Sequence, residues 1–244
     1  VVSKAKNALI YPAFVIGVFI AVMVIMFTVI IPKISTIIID SGQELPLYTR
    51  VVFGVSDLFV NYGFIMAALL IVALYFLVHY IRTQEGASAW ARFKLDIPYL
   101  GNLYRKIYIS IIADNMNTMI LSGIPMVKAI EVTVDVVDNE VYKKLLEDTL
   151  SAVKSGSPLS QSLSQYEEIP TILVQMIKVG EETGGLGNIF RTMAHFYQRE
   201  VVTTIDTLVS LIEPIMIVVL GLGIGILLAS VLIPIYEIAN SAGV

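Results

Sequence analysis

The chain has 244 residues, 57% of them hydrophobic and only 15% charged, with 16 basic residues against 20 acidic ones for a formal net charge of −4. Soluble domains carry about a quarter charged residues, so this composition points away from a soluble domain and toward an integral membrane protein, while the acidic excess argues against a nucleic-acid partner. Cysteine is absent, which excludes disulfides and thiolate chemistry.

Residues 12–31 form the first apolar stretch in chain order. It holds no charged residue and has the roughly 20-residue length that a bilayer core requires. It is longer than the roughly 7–15-residue apolar core of a cleaved signal peptide, and no small-residue cleavage site follows. Residues 32–61 read as an external loop with a turn signal at Ser41-Gly42-Gln43-Glu44-Leu45-Pro46-Leu47. Within it, residues 34–39 are apolar enough to continue the first helix out of the membrane, and residues 51–60 suit an interfacial helix. A re-entrant pore loop is the alternative, and Asp40, Glu44, Arg50 and Asp57 weigh against it as a water-facing set. Residues 62–81 are the second span, with no charge until His79 and Arg82.

Residues 82–213 read as a helical bundle of about six helices. Residues 90–97 form a short helix or interfacial segment ended by Pro98, and Trp90, Tyr99 and Tyr104 suit a membrane interface, where amphipathic rings settle. An amphipathic helix over 103–121 closes at Ser122-Gly123, and Pro125 opens the next one, to Val137. Residues 140–154 follow, with Lys143, Lys144, Glu147 and Asp148 on the wet side and Gly156 as the stop. Ser157-Pro158 caps a short helix to Gln165, and another covers 171–179.

Gly180-Glu181-Glu182-Thr183-Gly184-Gly185 reads as the turn into a long helix that begins at about Leu186. That helix has no strong breaker before Glu213 and Pro214, which mark where it enters the membrane. The third span, 214–235, has Ser230 as its only polar residue, and 236–244 are an external tail. The acidic turn has three readings: solvated carboxylates near the positive end of the next helix, a contact for a partner or a second copy, or part of a cation site, for which too few oxygen ligands lie nearby beyond Glu167-Glu168.

The first and third spans are related by a shift of 202 positions, which superposes Pro12 on Pro214 and Pro32 on Pro234. The repeat predicts that a cytosolic domain precedes Pro12 as one precedes Pro214, so residues 1–11 are expected to be the end of a missing N-terminal cytosolic domain. Orientation follows from the basic residues. Lys4 and Lys6 flank the first span, twelve of the 16 lie from Arg82 to Arg199, and only Lys33 and Arg50 fall in the first loop. By the positive-inside bias, the amino terminus and the bundle are cytosolic.

No catalytic, cofactor or metal residue is expected. The chain has no Gly-x-x-x-x-Gly-Lys-[Ser/Thr] phosphate loop, no nucleophile elbow and no His-Glu-x-x-His, and His79 and His195 are far apart. Gly221, Gly223 and Gly225 superficially resemble a dinucleotide motif but sit in an apolar span without a preceding strand. Gly221 and Gly225 are better read as a helix-packing face, since small residues let backbones approach in lipid. A transporter or channel subunit is the alternative class, and the lack of ionisable groups inside the spans counts against it.

Leu121-Ser122-Gly123-Ile124-Pro125, Ala129-Ile130-Glu131, Gly156 with Leu159-Ser160-Gln161-Ser162-Leu163, and above all Val179-Gly180-Glu181-Glu182-Thr183-Gly184-Gly185-Leu186 resemble the type II secretion F and type IV pilus PilC platform proteins. The resemblance covers essentially the whole chain, including Gly42–Pro46 with Thr49-Arg50, and Glu213-Pro214. It implies an all-α membrane protein with three transmembrane helices and a cytosolic helical domain, multi-pass in the bacterial inner membrane. The implied role is a non-enzymatic, homo-oligomeric platform coupling a cytosolic assembly ATPase to polymerisation of pilin-like or pseudopilin subunits, beside other inner-membrane assembly proteins and lipid. Many members carry an acidic residue after the Leu that ends the Gly-Glu motif. This chain has Gly187-Asn188 there, which removes a carboxylate that a cation-binding role would use.

Overall fold

A computed structural model describes residues 2–40, 47–98 and 100–241. Tyr99, the turn at Gly42–Pro46 and the last residues of the tail lie outside the described residues. Among those described there is no strand: the chain is all-α and divides into two units, one of residues 77–208 and one of residues 2–76 and 209–241.

The second unit holds the apolar helices. Helix α1 (Val2–Ile25) leads through a π-helical turn (Met26–Ile30) into α2 (Ile31–Asp40), and α3 runs over Leu47–Ile81. Helix α10 (Leu186–Ser241) begins in the bundle and supplies the last apolar stretch. Among the described residues three stretches are long and apolar enough to cross a membrane: Ile10–Thr36, Arg50–Ile81 and the part of α10 within Leu186–Ile233. Large apolar side chains such as Phe64, Leu69 and Ile71 on α3, and Ile217 and Leu222 on α10, are exposed, as lipid-facing positions are. Helical backbone extends past both ends of the 32–61 interval, through Asp40 and again from Leu47, because backbone groups near lipid are satisfied only within their own segment.

The π-helical turn has an identifiable cause. Ile31 donates its N–H to the carbonyl of Met26, five residues back, so the Phe27 carbonyl loses Ile31 as its donor. The next candidate in π register is Pro32, which has no N–H. The Ser56 hydroxyl of α3 donates to Phe27 O at 2.5 Å instead. Around this bond, fully buried Ile31 packs with Phe53, Ile34 and Val52, and Phe27 stacks on Phe59 at 5.7 Å.

The other unit is a bundle of α4 (Gln84–Asp96), α5 (Leu100–Leu121), α6 (Met126–Val136), α7 (Glu140–Lys154), α8 (Leu159–Leu163), α9 (Thr171–Thr183) and the first part of α10. Its core contains Ile109, Met116, Ile130, Tyr142, Leu173 and Phe190, each essentially without exposure. Burying each such side chain contributes roughly 1.5–3 kcal/mol. Two polar side chains of this core are tied to backbone, while the buried Thr149 hydroxyl has no hydrogen-bond partner among the described residues. Buried Asn139 caps α7 by accepting from Val141 N at 3.0 Å, and its amide donates to Ala91 O of α4 at 3.4 Å. The Tyr142 hydroxyl donates to Glu168 O at 3.2 Å, and burial pushes its pKa far above that of an ordinary tyrosine. Lys106 of α5 donates to Glu200 at 2.8 Å and to Thr204 at 2.9 Å, both on α10.

Candidate functional site

Residues 180–185 were expected to form a turn, and the structure corrects this: Gly180, Glu181, Glu182 and Thr183 are the last turn of α9, and the chain reverses only at Gly184-Gly185. Gly184 sits at φ 72°, a left-handed conformation that glycine adopts without a Cβ penalty. The Gly185 N–H reaches back to Gly180 O at 2.9 Å, the long bond of a Schellman closure. Gly180 is helical for a packing reason. A Cβ there would meet Ile189 and Leu186 at 3.0 Å, so the missing side chain is what lets α10 fold back against α9. Gly187 serves α5 in the same way, since its Cβ would stand 2.6 Å from Leu121.

The two carboxylates of this corner are not equivalent. Glu181 is half-buried and turns toward α8, where it accepts from Leu159 N at 2.5 Å, from Ser160 N at 3.3 Å and from the Ser160 hydroxyl. Helix α8 has Pro158 at its N-cap, which offers no side-chain acceptor, so Glu181 does from α9 what a capping residue does locally. The reading of both carboxylates as solvated therefore holds for Glu182, which is exposed, and fails for Glu181. Sequence reasoning named Ser160 only within the Leu159–Leu163 motif and did not pair it with Glu181. Its hydroxyl and N–H, 21 residues from Glu181, are what make that carboxylate structural.

A Cβ at Gly221 or at Gly225 would meet nothing within 4 Å among the described residues. The glycine at a close approach is Gly223, whose Cβ would lie 2.3 Å from the Phe19 ring of α1. Two residues along a helix is about 200° of rotation, which puts Gly223 on the face opposite Gly221 and Gly225. Glu213 and Pro214 are exposed and helical, with Pro214 lying inside α10.

A surface cleft of about 940 Å³ runs between α4, α7 and the 166–168 segment, lined by Arg92 and Lys144 and by Glu140, Glu147, Asp148 and Glu168. His195 is exposed with Gln198 and Arg199 on α10. Among the described residues no group of three His, Cys, Asp or Glu side chains is placed to hold a metal.

Comparison with known proteins fits this architecture. The chain is 33% identical to the type IV pilus assembly protein PilC of Thermus thermophilus over 99% of its own length and 60% of the relative's. It is 29% identical to PilC of Myxococcus xanthus, with 98% and 57% covered, and 27% identical to the type II secretion system protein F of Pseudomonas aeruginosa, with 99% and 60% covered. The chain thus spans about 60% of the length of the curated relatives it matches. Residues 112–234, half of the chain, match the family described as type II secretion system (T2SS), protein F, and the chain belongs to that family.

Proposed function

We propose that the chain is part of an inner-membrane platform of a type II secretion or type IV pilus machine, coupling a cytosolic assembly ATPase to polymerisation of pilin-like subunits. The observation that carries this reading is the family match over residues 112–234, with relatives named for both kinds of machine. In this reading the bundle is cytosolic, the protein does not itself catalyse a reaction, and it works as a homo-oligomer with other inner-membrane assembly proteins.

Two features support the mechanical part. Helix α10 is one continuous helix from Leu186 to Ser241, so the helix that leaves the α9–α10 corner is also the one that supplies the last apolar stretch. Pro214, where that helix enters the membrane, lacks a backbone donor and gives the helix a place to bend. The exposed part of the corner, Glu182, Thr183 and Gly184, is the surface offered to a partner or a second copy, while Gly180, Glu181 and Gly185 hold its shape. Gly221 and Gly225 face another chain. Photo-crosslinking from position 182 in the host cell tests the reading: it is expected to capture a secretion or pilus ATPase or a second copy. A gene deletion that leaves both secretion and surface pili intact would overturn it.

A further inference from the structure

We propose that α4 is an interfacial helix lying in the lipid headgroup layer, with Trp90 and Phe93 at the acyl-chain boundary and Lys94 meeting anionic lipid phosphates. Covalent geometry first fixes where α4 starts. The apolar stretch of α3 ends at Ile81, and only Arg82 and Thr83 separate it from α4, a reach of at most about 11 Å. The junction is closed rather than slack. The Thr83 hydroxyl donates to Tyr80 O at 2.7 Å and accepts from Gly86 N at 3.1 Å, so one side chain ends α3 and caps α4. A Cβ on Gly86 would stand 1.9 Å from Tyr80 O, so the first turn of α4 packs directly against the last turn of α3. Chain continuity therefore keeps the start of α4 close to the end of that apolar stretch.

The composition of its faces then selects the occupant. Ala91 and Leu95 are buried toward the bundle. About half a turn away, Phe93 is 54% exposed and stacks on Trp90 at 5.5 Å. Lys94 stands beside them with its ammonium 6.0 Å from the Trp90 ring and 5.9 Å from the Tyr104 ring. The aromatic contacts continue inward through Tyr104, Tyr108 and Tyr142 to the core, so the patch is held by the bundle. An exposed Phe93 stacked on a half-buried Trp90 beside a cation at the end of a span matches the chemistry of the interface, where Trp settles at headgroup depth and a lysine stem lies along apolar surface with its charge in the polar layer. Exposed Arg82 adds a second positive charge at the same level.

Trp90 is the single tryptophan of the chain, so its fluorescence reports on this patch alone. The test uses the whole chain in phospholipid vesicles whose acyl chains are brominated at a shallow or a deep position. Expected are stronger quenching by the shallow label than by the deep one and weak quenching by aqueous acrylamide. Labelled phosphatidylglycerol should be enriched over labelled phosphatidylcholine by up to about fivefold, the factor one basic side chain contributes near an anionic surface. Lys94→Ala should bring that preference toward unity while the depth profile stays. Quenching by acrylamide without a bromine effect would put the patch in water. Quenching by neither would put it under protein, a second copy included. Either result on the unmodified chain overturns the proposal.

Discussion

The Ser56 hydroxyl donates to the Phe27 carbonyl at 2.5 Å, bridging α3 to the π-helical turn that precedes Pro32. Ser56 has about 1% exposure, so the carbonyl it serves has little other recourse. Ser56→Ala is expected to lower stability by about 1–3 kcal/mol, the cost of leaving one buried polar group unpaired, read as a fall in the unfolding midpoint of the purified protein. Pro32→Ala supplies an N–H at position 32, so the double variant should lose less than the sum of the two single changes. Strict additivity would show that Pro32 and Ser56 do not serve the same carbonyl.

The spans and most helices are legible in the sequence because their signals are local: apolar runs of bilayer length, Gly123 and Gly156 at positive φ, and Asn139 ahead of α7. What escapes is set by partners distant in sequence. Gly180 and Gly184 look alike as helix stops, and only the packing of Leu186 and Ile189 over Gly180 decides that the helix passes the first and ends at the second. Glu181 and Glu182 are adjacent and chemically identical, and they part company because Ser160 lies on one side of α9. The three glycines of the last span present the same ambiguity, resolved by Phe19.

That resolution yields a separable pair of variants. Gly223→Ala pushes a Cβ into the Phe19 ring, so it should destabilise the unit by about 1–3 kcal/mol, as overpacking does, and Phe19→Ala should relieve the cost. Gly221→Leu with Gly225→Leu is expected to leave the stability of the single chain unchanged, because a Cβ at either position meets nothing within 4 Å among the described residues. If these positions face another subunit, the double variant should reduce cross-linked oligomer while the unfolding midpoint stays put. A midpoint that falls with it would place the two glycines inside the single-chain fold.

The clustering of twelve basic residues between Arg82 and Arg199 predicts sidedness. Reporter fusions at Ser155, which ends α7, should score cytosolic, and fusions at Gly42 or Gly243 should score external. The same side for Gly42 and Ser155 would defeat a three-span arrangement.

The corner carboxylates give the most discriminating experiment, because their environments differ while their chemistry does not. Glu181→Gln keeps the shape but removes the charge that caps α8, and should lower stability by about 0.5–2 kcal/mol, the range for losing a helix cap. Ser160→Ala should act in the same direction and be less than additive with it, since both remove one network. Glu182→Lys, on exposed surface, should stay within about 0.5 kcal/mol of the parent. Measuring unfolding midpoints beside secretion or pilus output in the same strains separates structure from coupling. If Glu182 belongs to a working surface, Glu182→Lys lowers output at unchanged stability and abundance. If only Glu181 and Ser160 variants lose output, in proportion to lost stability, the corner acts by holding α8 and α9 together and the partner surface lies elsewhere.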